Sequence, residues 1–463
     1  MKIAILGAGP GGYVAALKAA QMGAEVVVIE ESEVGGVCLN AGCIPTKTLI
    51  ASSDLYSKLK EHDDYGIEIS GDVKPNIRKM MERKRSVIST QVKGIRALFK
   101  SWGIRLIEGR GSFISGKEIK VTLKDTSQQV VNADKFIIAT GSRPFSVPAF
   151  PFDGTHILSS THALELEEIP KSMIIIGAGV IGCEFASMYR ALGCEVSIVE
   201  LLPRALATED EEISSMIEKE FKKRKIKLYT KVKAEKVVVE DNMVKVTISG
   251  DKELSAQKLL VSVGRSFNSE GLGLETCGVD LAKRGNISVN KYMQTTNPDI
   301  YAIGDVTGGI LLAHVASKEG IVAVENILGH TVEMNYKVVP AGVFTHPEIG
   351  SVGLREHEAK EQSIKYKTGY FQYRALGKSH AIGEITGMFK VIAEAEGKGK
   401  ILGAHVIGHA AADLIHEAVI AMQGGLTVKE LADTIHSHPT LSEGMMEACE
   451  DLLGSAIHST PKK

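Results

Sequence analysis

The sequence predicts an α/β fold of two Rossmann-like dinucleotide-binding domains followed by a C-terminal α+β domain. Three observations carry that prediction: a glycine-rich pattern that occurs twice, a proline-rich join just before the second copy, and a stretch beyond residue 365 that alternates strand-like and helix-like segments without a third such pattern.

The first copy is "KIAILGAGPGG", an apolar strand running into Gly7, Gly9 and Gly12; the second is "MIIIGAGVIG", which runs into Gly177, Gly179 and Gly182. The offset is 170 residues and it persists, since Gly23 matches Gly193, Glu25 matches Glu195, and "VVVIE" ending at Glu30 matches "VSIVE" ending at Glu200. Each copy reads as strand, tight turn, helix and strand. Glycines let the backbone turn sharply and approach a pyrophosphate at the helix N-terminus, and the acid 18 residues past the last glycine accepts from a ribose hydroxyl. Two adenine dinucleotides on one chain imply electron transfer between them. A carboxylate at Glu200 also repels a 2′-phosphate, which favours NAD over NADP; Arg204, four residues on, is the one contrary sign. The join "PFSVPAFPFDGT" separates the two units.

Composition narrows the function classes. The chain has 463 residues, 44% hydrophobic and 24% charged, enough for about two to four domains with cores. Lys and Arg total 54 against 56 Asp and Glu, a net charge of -2, so no basic field invites nucleic acid and no polybasic tract invites a membrane. Met1 runs into "KIAIL" and then glycines, so no secretory signal is expected, and apolar runs such as "MIIIG" break well short of a bilayer span. A soluble, cytoplasmic protein is expected.

Six cysteines are too sparse for a secreted disulfide framework, and Cys183, Cys194, Cys277 and Cys449 stand alone as small buried hydrophobes. Cys38 and Cys43 do not fit that reading. In "GGVCLNAGCIPTK" they lie five apart, which on a regular helix separates the Cα atoms by about 8.7 Å. A disulfide needs about 4.4–6.8 Å. If the pair bridges, the helix must be broken between them, and Gly42 is the residue type that allows it. Pro45 suits the first turn of a helix through "TKTLIASSDLYSKL", whose N-terminus favours a nearby thiolate. A metal site is the rival, but no second close pair of zinc-ligand type accompanies these thiols, so none is expected.

"GGVCLNAGCIPTKTL" resembles the redox-active segment of the flavin-dependent pyridine nucleotide-disulfide oxidoreductases. The resemblance spans the chain through "ATGSRP" (139–144), "VGR" (263–265), "TTNPDIYAIGDV" (295–306), "LLAH" (311–314), "AGVFTHPEIGSVG" (341–353) and "HSHPTLSE" (436–443). It implies an FAD-binding domain over residues 1–147, an NAD-binding domain over 148–271, a central segment over 272–338 that completes the FAD domain, and a dimerisation domain over 339–463. The last motif and the CLNxGCIP form are most similar to members that oxidise protein-bound dihydrolipoyl groups and reduce NAD⁺. A homodimer is implied, because the family's site takes a histidine from the second subunit. The other implied partner is a separate lipoyl-bearing carrier protein of a 2-oxoacid dehydrogenase or glycine cleavage complex, with a place in cell redox homeostasis.

The same resemblance assigns roles. Cys38 exchanges with the substrate, Cys43 lies nearer the flavin, and Lys47 sits by the flavin ring with Glu184, which also lies by the nicotinamide. His438, followed by Pro439 and paired with Glu443, is the acid/base that a thiol substrate requires; His436, two residues away, is assigned to packing or surface. Asp305 bonds the ribitol chain of FAD, whose ribose Glu30 accepts. Gly111, Thr140, Gly141, Ser142, Ala313, Val232 and Gly264 complete the cofactor-binding residues. Phe267 and Val37 depart from the residues frequent in relatives, away from the redox chemistry. Glu200 and the redox segment disfavour the glutathione-reducing members. The lack of a C-terminal cysteine pair and of an N-terminal metal-binding extension disfavours the mercuric-ion reductases. The remaining alternatives are a related NAD(P)H-dependent disulfide or metal-ion reductase and an FAD-binding assembly subunit of a multienzyme complex. Against the assembly subunit stand the intact cysteines, His438 and Glu443, which a structural role does not need.

Overall fold

In the computed structural model, which describes residues 1–458, the first glycine pattern forms β1 (Lys2–Leu6), α1 (Pro10–Gln21) and β2 (Glu25–Glu30). Continuous apolar runs in both strands match burial on both faces of a parallel sheet. Lys135–Ile138 and Arg105–Ser115 flank β1 and β2 in parallel, Ile300–Ala302 adds a parallel outer strand from 164 residues further on, and two antiparallel strands finish a seven-stranded sheet.

The second pattern repeats the plan with Ser172–Ile176, the helix Val180–Ala191 and Glu195–Val199, at the centre of a five-stranded parallel sheet. A three-stranded antiparallel sheet follows (234–256). Beyond residue 340 the chain builds a five-stranded antiparallel sheet and a C-terminal helix, Glu443–Leu453, in agreement with the expected α+β portion.

Three further helices position the cysteines. Gly36–Ala41 (α2) and Cys43–Lys60 (α3) follow β2, and Ile77–Ser101 (α4) lies beside them. One apolar core joins the helices after β2 to the second unit and the last sheet: Leu49 of α3, Met80 and Met81 of α4, Phe185 and Tyr189 of the second unit, and Ile349, Met388 and Ile407 of the last sheet. Two fully buried lysines strengthen those joins. Lys84 donates to the carbonyl of Leu164 and to Glu165. Lys390 meets Asp210 at 2.8 Å and Glu212 and Glu356 at 2.7 Å. Burial opposes the Lys390 charge, but the three carboxylates outweigh it and hold the ammonium protonated.

Candidate active site

Both glycine turns are dictated by close backbone approach. Gly7 holds φ 105° and a Cβ there would meet the carbonyl oxygen of Ala139 at 2.3 Å; Gly177 holds φ 103° and would meet that of Ser262 at 2.5 Å. Gly12 and Gly182 each lie so close to the first glycine of their turn that a Cβ would come within 1.9 Å of its oxygen. The middle glycines differ. Gly9 and Gly179 cap α1 and the helix Val180–Ala191 without any side-chain cap, and a Cβ on Gly179 would meet nothing within 4 Å. Protein packing does not demand a glycine there. Open space beside uncapped helix N–H groups is what a pyrophosphate requires.

The two acids repeat the same geometry. Glu30 accepts from the N–H of Ala8 at 2.7 Å and of Ser32 at 2.8 Å; Glu200 accepts from Ala178 at 2.5 Å and Leu202 at 2.7 Å. Burial raises the proton affinity of the Glu30 carboxyl, against the pull of those N–H groups. Val232 donates its N–H to the carbonyl of Glu200 at 2.9 Å, and Gly264 holds φ 137°. The Arg204 guanidinium is engaged within its own chain: it donates to Glu211 at 3.1 Å and to the carbonyls of Ala207 and Glu209 at 2.9 and 3.0 Å, while its buried Nε has no partner among the described residues.

The cysteine pair spans the helix break that its spacing demanded. Ala41 ends α2, Gly42 takes φ -147° and ψ -111°, and Cys43 opens α3. Thr46 secures the turn by donating its hydroxyl to the Gly42 carbonyl at 2.6 Å. Both cysteines are free thiols, and they are hydrogen-bonded to each other. The Cys38 S–H donated to Cys43, then the Lys47 ammonium one turn on, outweigh burial and the nearby Glu184 charge and bring the Cys43 thiol down to about 7. Cys38 is pushed up by the same hydrogen bond. Of the two, Cys43 is the member that the surrounding groups favour as thiolate.

Lys47 donates to both oxygens of Glu184, at 2.9 and 2.7 Å, and lies 4.6 Å from the centre of the Phe344 ring. Glu184, buried in its helix, also accepts from the Phe344 N–H at 3.0 Å. That ion pair ties α3 to the second unit. A second knot holds Asp305: it accepts from the Ser142 hydroxyl, and Arg265 Nε lies 2.6 Å from that hydroxyl and 3.5 Å from Asp305.

These groups share one cavity of about 1170 Å³. Gly7, Gly9, Glu30, Cys38, Cys43, Lys47, Gly111, Thr140, Gly141, Ser142, Glu184, Asp305 and Ala313 line it, so most of the residues predicted from sequence meet there. Gly12 lies beneath the turn. Gly177, Gly179, Gly182 and Glu200 form the second turn and, with Val232 and Gly264, lie outside the cavity lining.

His438 and Glu443 stand apart. His438 is mostly exposed, its Nδ1 2.8 Å from Glu443, whose other oxygen accepts from the Thr440 N–H at 2.8 Å. Burial opposes ionisation of Glu443, but the Thr440 N–H and His438 outweigh it and hold the carboxyl below its ordinary range. The pair does not line the cysteine cavity of its own chain. His436 is buried against Glu417 at 3.3 Å, as a packing role requires.

Sequence reasoning passed over Arg265 and Phe344, although both lie within quoted motifs, because their partners Asp305 and Glu184 are distant in the chain. It also missed Glu319, which is buried, accepts from the Gly304 N–H at 2.6 Å and so fixes the turn that carries Asp305. No signal short of the fold points to it.

Comparison with known proteins follows the same lines. The model of the pyridine nucleotide-disulphide oxidoreductases matches residues 1–320, and that of their dimerisation domain matches residues 339–449. The chain is 42% identical over 458 residues to a dihydrolipoyl dehydrogenase of Chlamydia pneumoniae, covering 99% of this chain and 98% of that one. It is 39% identical over 464 residues to one of Bacillus subtilis, covering 99% and 100%. The crystal structure of LpdA from Mycobacterium tuberculosis superposes with a TM-score of 0.92 at 31% identity, covering 97% of this chain and 99% of that one.

Proposed function

Because the chain belongs to the pyridine nucleotide-disulphide oxidoreductase family, we propose that it is a dihydrolipoyl dehydrogenase, a flavoprotein that oxidises protein-bound dihydrolipoyl groups to the disulfide and reduces NAD⁺ to NADH. The observation that carries this reading is the Cys38–Cys43 pair across a helix break, its thiolate member beside Lys47, in one cavity with the Gly9 turn and Glu30.

The residues fit both cofactors. Gly9, Glu30, Ser142, Asp305 and Ala313 would hold FAD, and Gly179, Glu200 and the N-terminus of Val180–Ala191 would hold NAD, over domains divided at 1–147, 148–271, 272–338 and 339–463. FAD, when bound, carries the two electrons from the dithiol to NAD⁺. The chain's own residues perform the thiol exchange. With Cys38 and Cys43 oxidised to a disulfide, a dihydrolipoyl thiolate attacks Cys38 sulfur and Cys43 leaves as thiolate. The second dihydrolipoyl thiol then attacks the lipoyl sulfur of the mixed disulfide, the lipoyl disulfide closes, and Cys38 is released. His438 of the partner subunit, oriented by Glu443, takes the proton of the attacking thiol, a role worth about 10²–10⁴ in rate. Lys47 favours Cys43 as thiolate, and Glu184 holds Lys47 in place.

The substrate arrives on a separate lipoyl-bearing carrier of a 2-oxoacid dehydrogenase or glycine cleavage complex. The enzyme works as a cytoplasmic homodimer. Among the described residues no helix is long and apolar enough to cross a membrane.

An anaerobic titration of the purified holoprotein with dihydrolipoamide tests the reading. A long-wavelength visible band, the mark of a thiolate beside oxidised flavin, should appear at two electrons and vanish as NADH forms on addition of NAD⁺. A flavin silent to dihydrolipoamide but reduced by NADH would overturn the substrate assignment.

A further inference from the structure

The C-terminal helix carries a second acid one turn beyond Glu443. Glu447 is buried, with 4% of its surface exposed, and its Oε2 has no hydrogen-bond partner among the described residues. Its Oε1 lies 2.6 Å from Nδ1 of His458, eleven residues further along the chain. A helix end makes this contact possible. Gly454 takes the left-handed conformation at φ 76°, its N–H donates to the Asp451 carbonyl and the Ser455 N–H donates to that of Glu450, the pair of bonds that turns a chain back along its own helix. His458 therefore returns to the face from which Glu447 projects.

We propose that His458 is a positioning residue for the His438–Glu443 pair: by holding Glu447 it neutralises a second buried carboxylate one helical turn from Glu443 and so sets the pH range in which His438 works as a base. The inference rests on the acid/base role given above to His438.

The surrounding charges favour this arrangement. His458 faces Glu447, Glu450 and Glu443, and those carboxylates, led by the hydrogen bond to Glu447, raise its proton affinity and favour the imidazolium. Glu443 faces Thr440, His438 and His436, while His436 is itself paired with Glu417 from the neighbouring helix. Asp451, on the same helix, accepts from the Tyr370 N–H of the adjoining sheet. Of the cations named around this helix, His458 is the one in contact with Glu447. Among the described residues no other cation contacts Glu447, so without His458 any charge Glu447 carries adds to that of Glu443 and stabilises protonated His438.

The test is the pH dependence of kcat/KM for dihydrolipoamide in the holoenzyme, which reports groups of the free enzyme. His458→Gln should move the acid limb to higher pH by about 0.5–1 unit, the size expected for a unit charge within about a Debye length near a protein surface. At pH values below the limb, kcat/KM falls about three- to ten-fold by the same shift. His458→Gln combined with Glu447→Gln should return the limb to its original position, which a merely structural role of His458 would not do. His438→Gln is measured beside them. If it abolishes turnover and His458→Gln leaves the limb in place, the positioning role is overturned and the base survives. If His438→Gln keeps full turnover, the base assignment falls and takes the inference with it.

Discussion

At Cys43 three neighbours act on one sulfur: the Cys38 S–H donates to it, the Lys47 ammonium attracts its charge, and Glu184 opposes that attraction while anchoring Lys47. Their order of strength makes a prediction. In the reduced protein the Cys43 thiolate should titrate near 7, and Cys38→Ala, which removes the largest favourable contribution, should raise that midpoint by about one unit or more. Ultraviolet absorbance of the thiolate against pH measures it. An unchanged midpoint would move the thiolate character away from the pair and onto the helix N-terminus. Cys43→Ser should keep FAD and lose dihydrolipoamide turnover; retention of full turnover would sink the exchange scheme. Lys47→Met should raise the Cys43 midpoint as Cys38→Ala does, since an ammonium within one helical turn stabilises the thiolate.

At the scale of the element, the two strand–turn–helix units separate glycines that packing requires from glycines that a ligand requires. Gly182→Ala would drive a Cβ to 1.9 Å from the Gly177 oxygen, so the turn must open, at roughly 3 kcal/mol of stability. Gly179→Ala meets nothing within 4 Å at a φ of -73°, so its melting temperature should equal that of the parent. The alanine methyl stands where a pyrophosphate would approach, and the KM for NAD⁺ should rise at least about ten-fold, the effect of losing ~1.4 kcal/mol of binding. Equal KM values would place the dinucleotide elsewhere. This contrast explains how much could be read in advance. The turns, the acids Glu30 and Glu200, and the helix break at Gly42 were legible because the residue types that mark them fall within about 25 residues of chain, even though the backbone that Gly7 and Gly177 approach, at Ala139 and Ser262, lies far along it. Arg265 beside Asp305, Phe344 on Glu184 and Glu319 under Gly304 were not, because each needs the folded chain to bring its partner near.

At the scale of the whole molecule, His438 and Glu443 do not line the cysteine cavity of their own chain, so the proposed base must reach thiols of another chain. Within one chain the interface sheet is fixed to the second unit by buried Lys390 and to α3 and α4 by a shared apolar core, so His438 does not swing into its own cysteine cavity without breaking both. A breach of the Lys390 cluster alone leaves uncompensated buried charge, a penalty of about 3–5 kcal/mol. His438 is nevertheless exposed and oriented by Glu443, as expected of a side chain that completes a site on a second copy across a twofold axis. Subunit hybrids decide the matter. Cys43→Ser and His438→Gln homodimers should both be inactive toward dihydrolipoamide. In a reassorted dimer, the intact Cys43 of one chain faces the intact His438 of the other at one site, while the second site carries both lesions. Random exchange of equal amounts makes about half the dimers hybrid, each with one working site of two, so the mixture should recover about a quarter of the parent activity. Recovery to that level follows only if the thiols and the base come from different chains; a mixture that stays inactive after verified exchange would place His438 in the service of its own subunit and require a large movement of the interface domain during turnover.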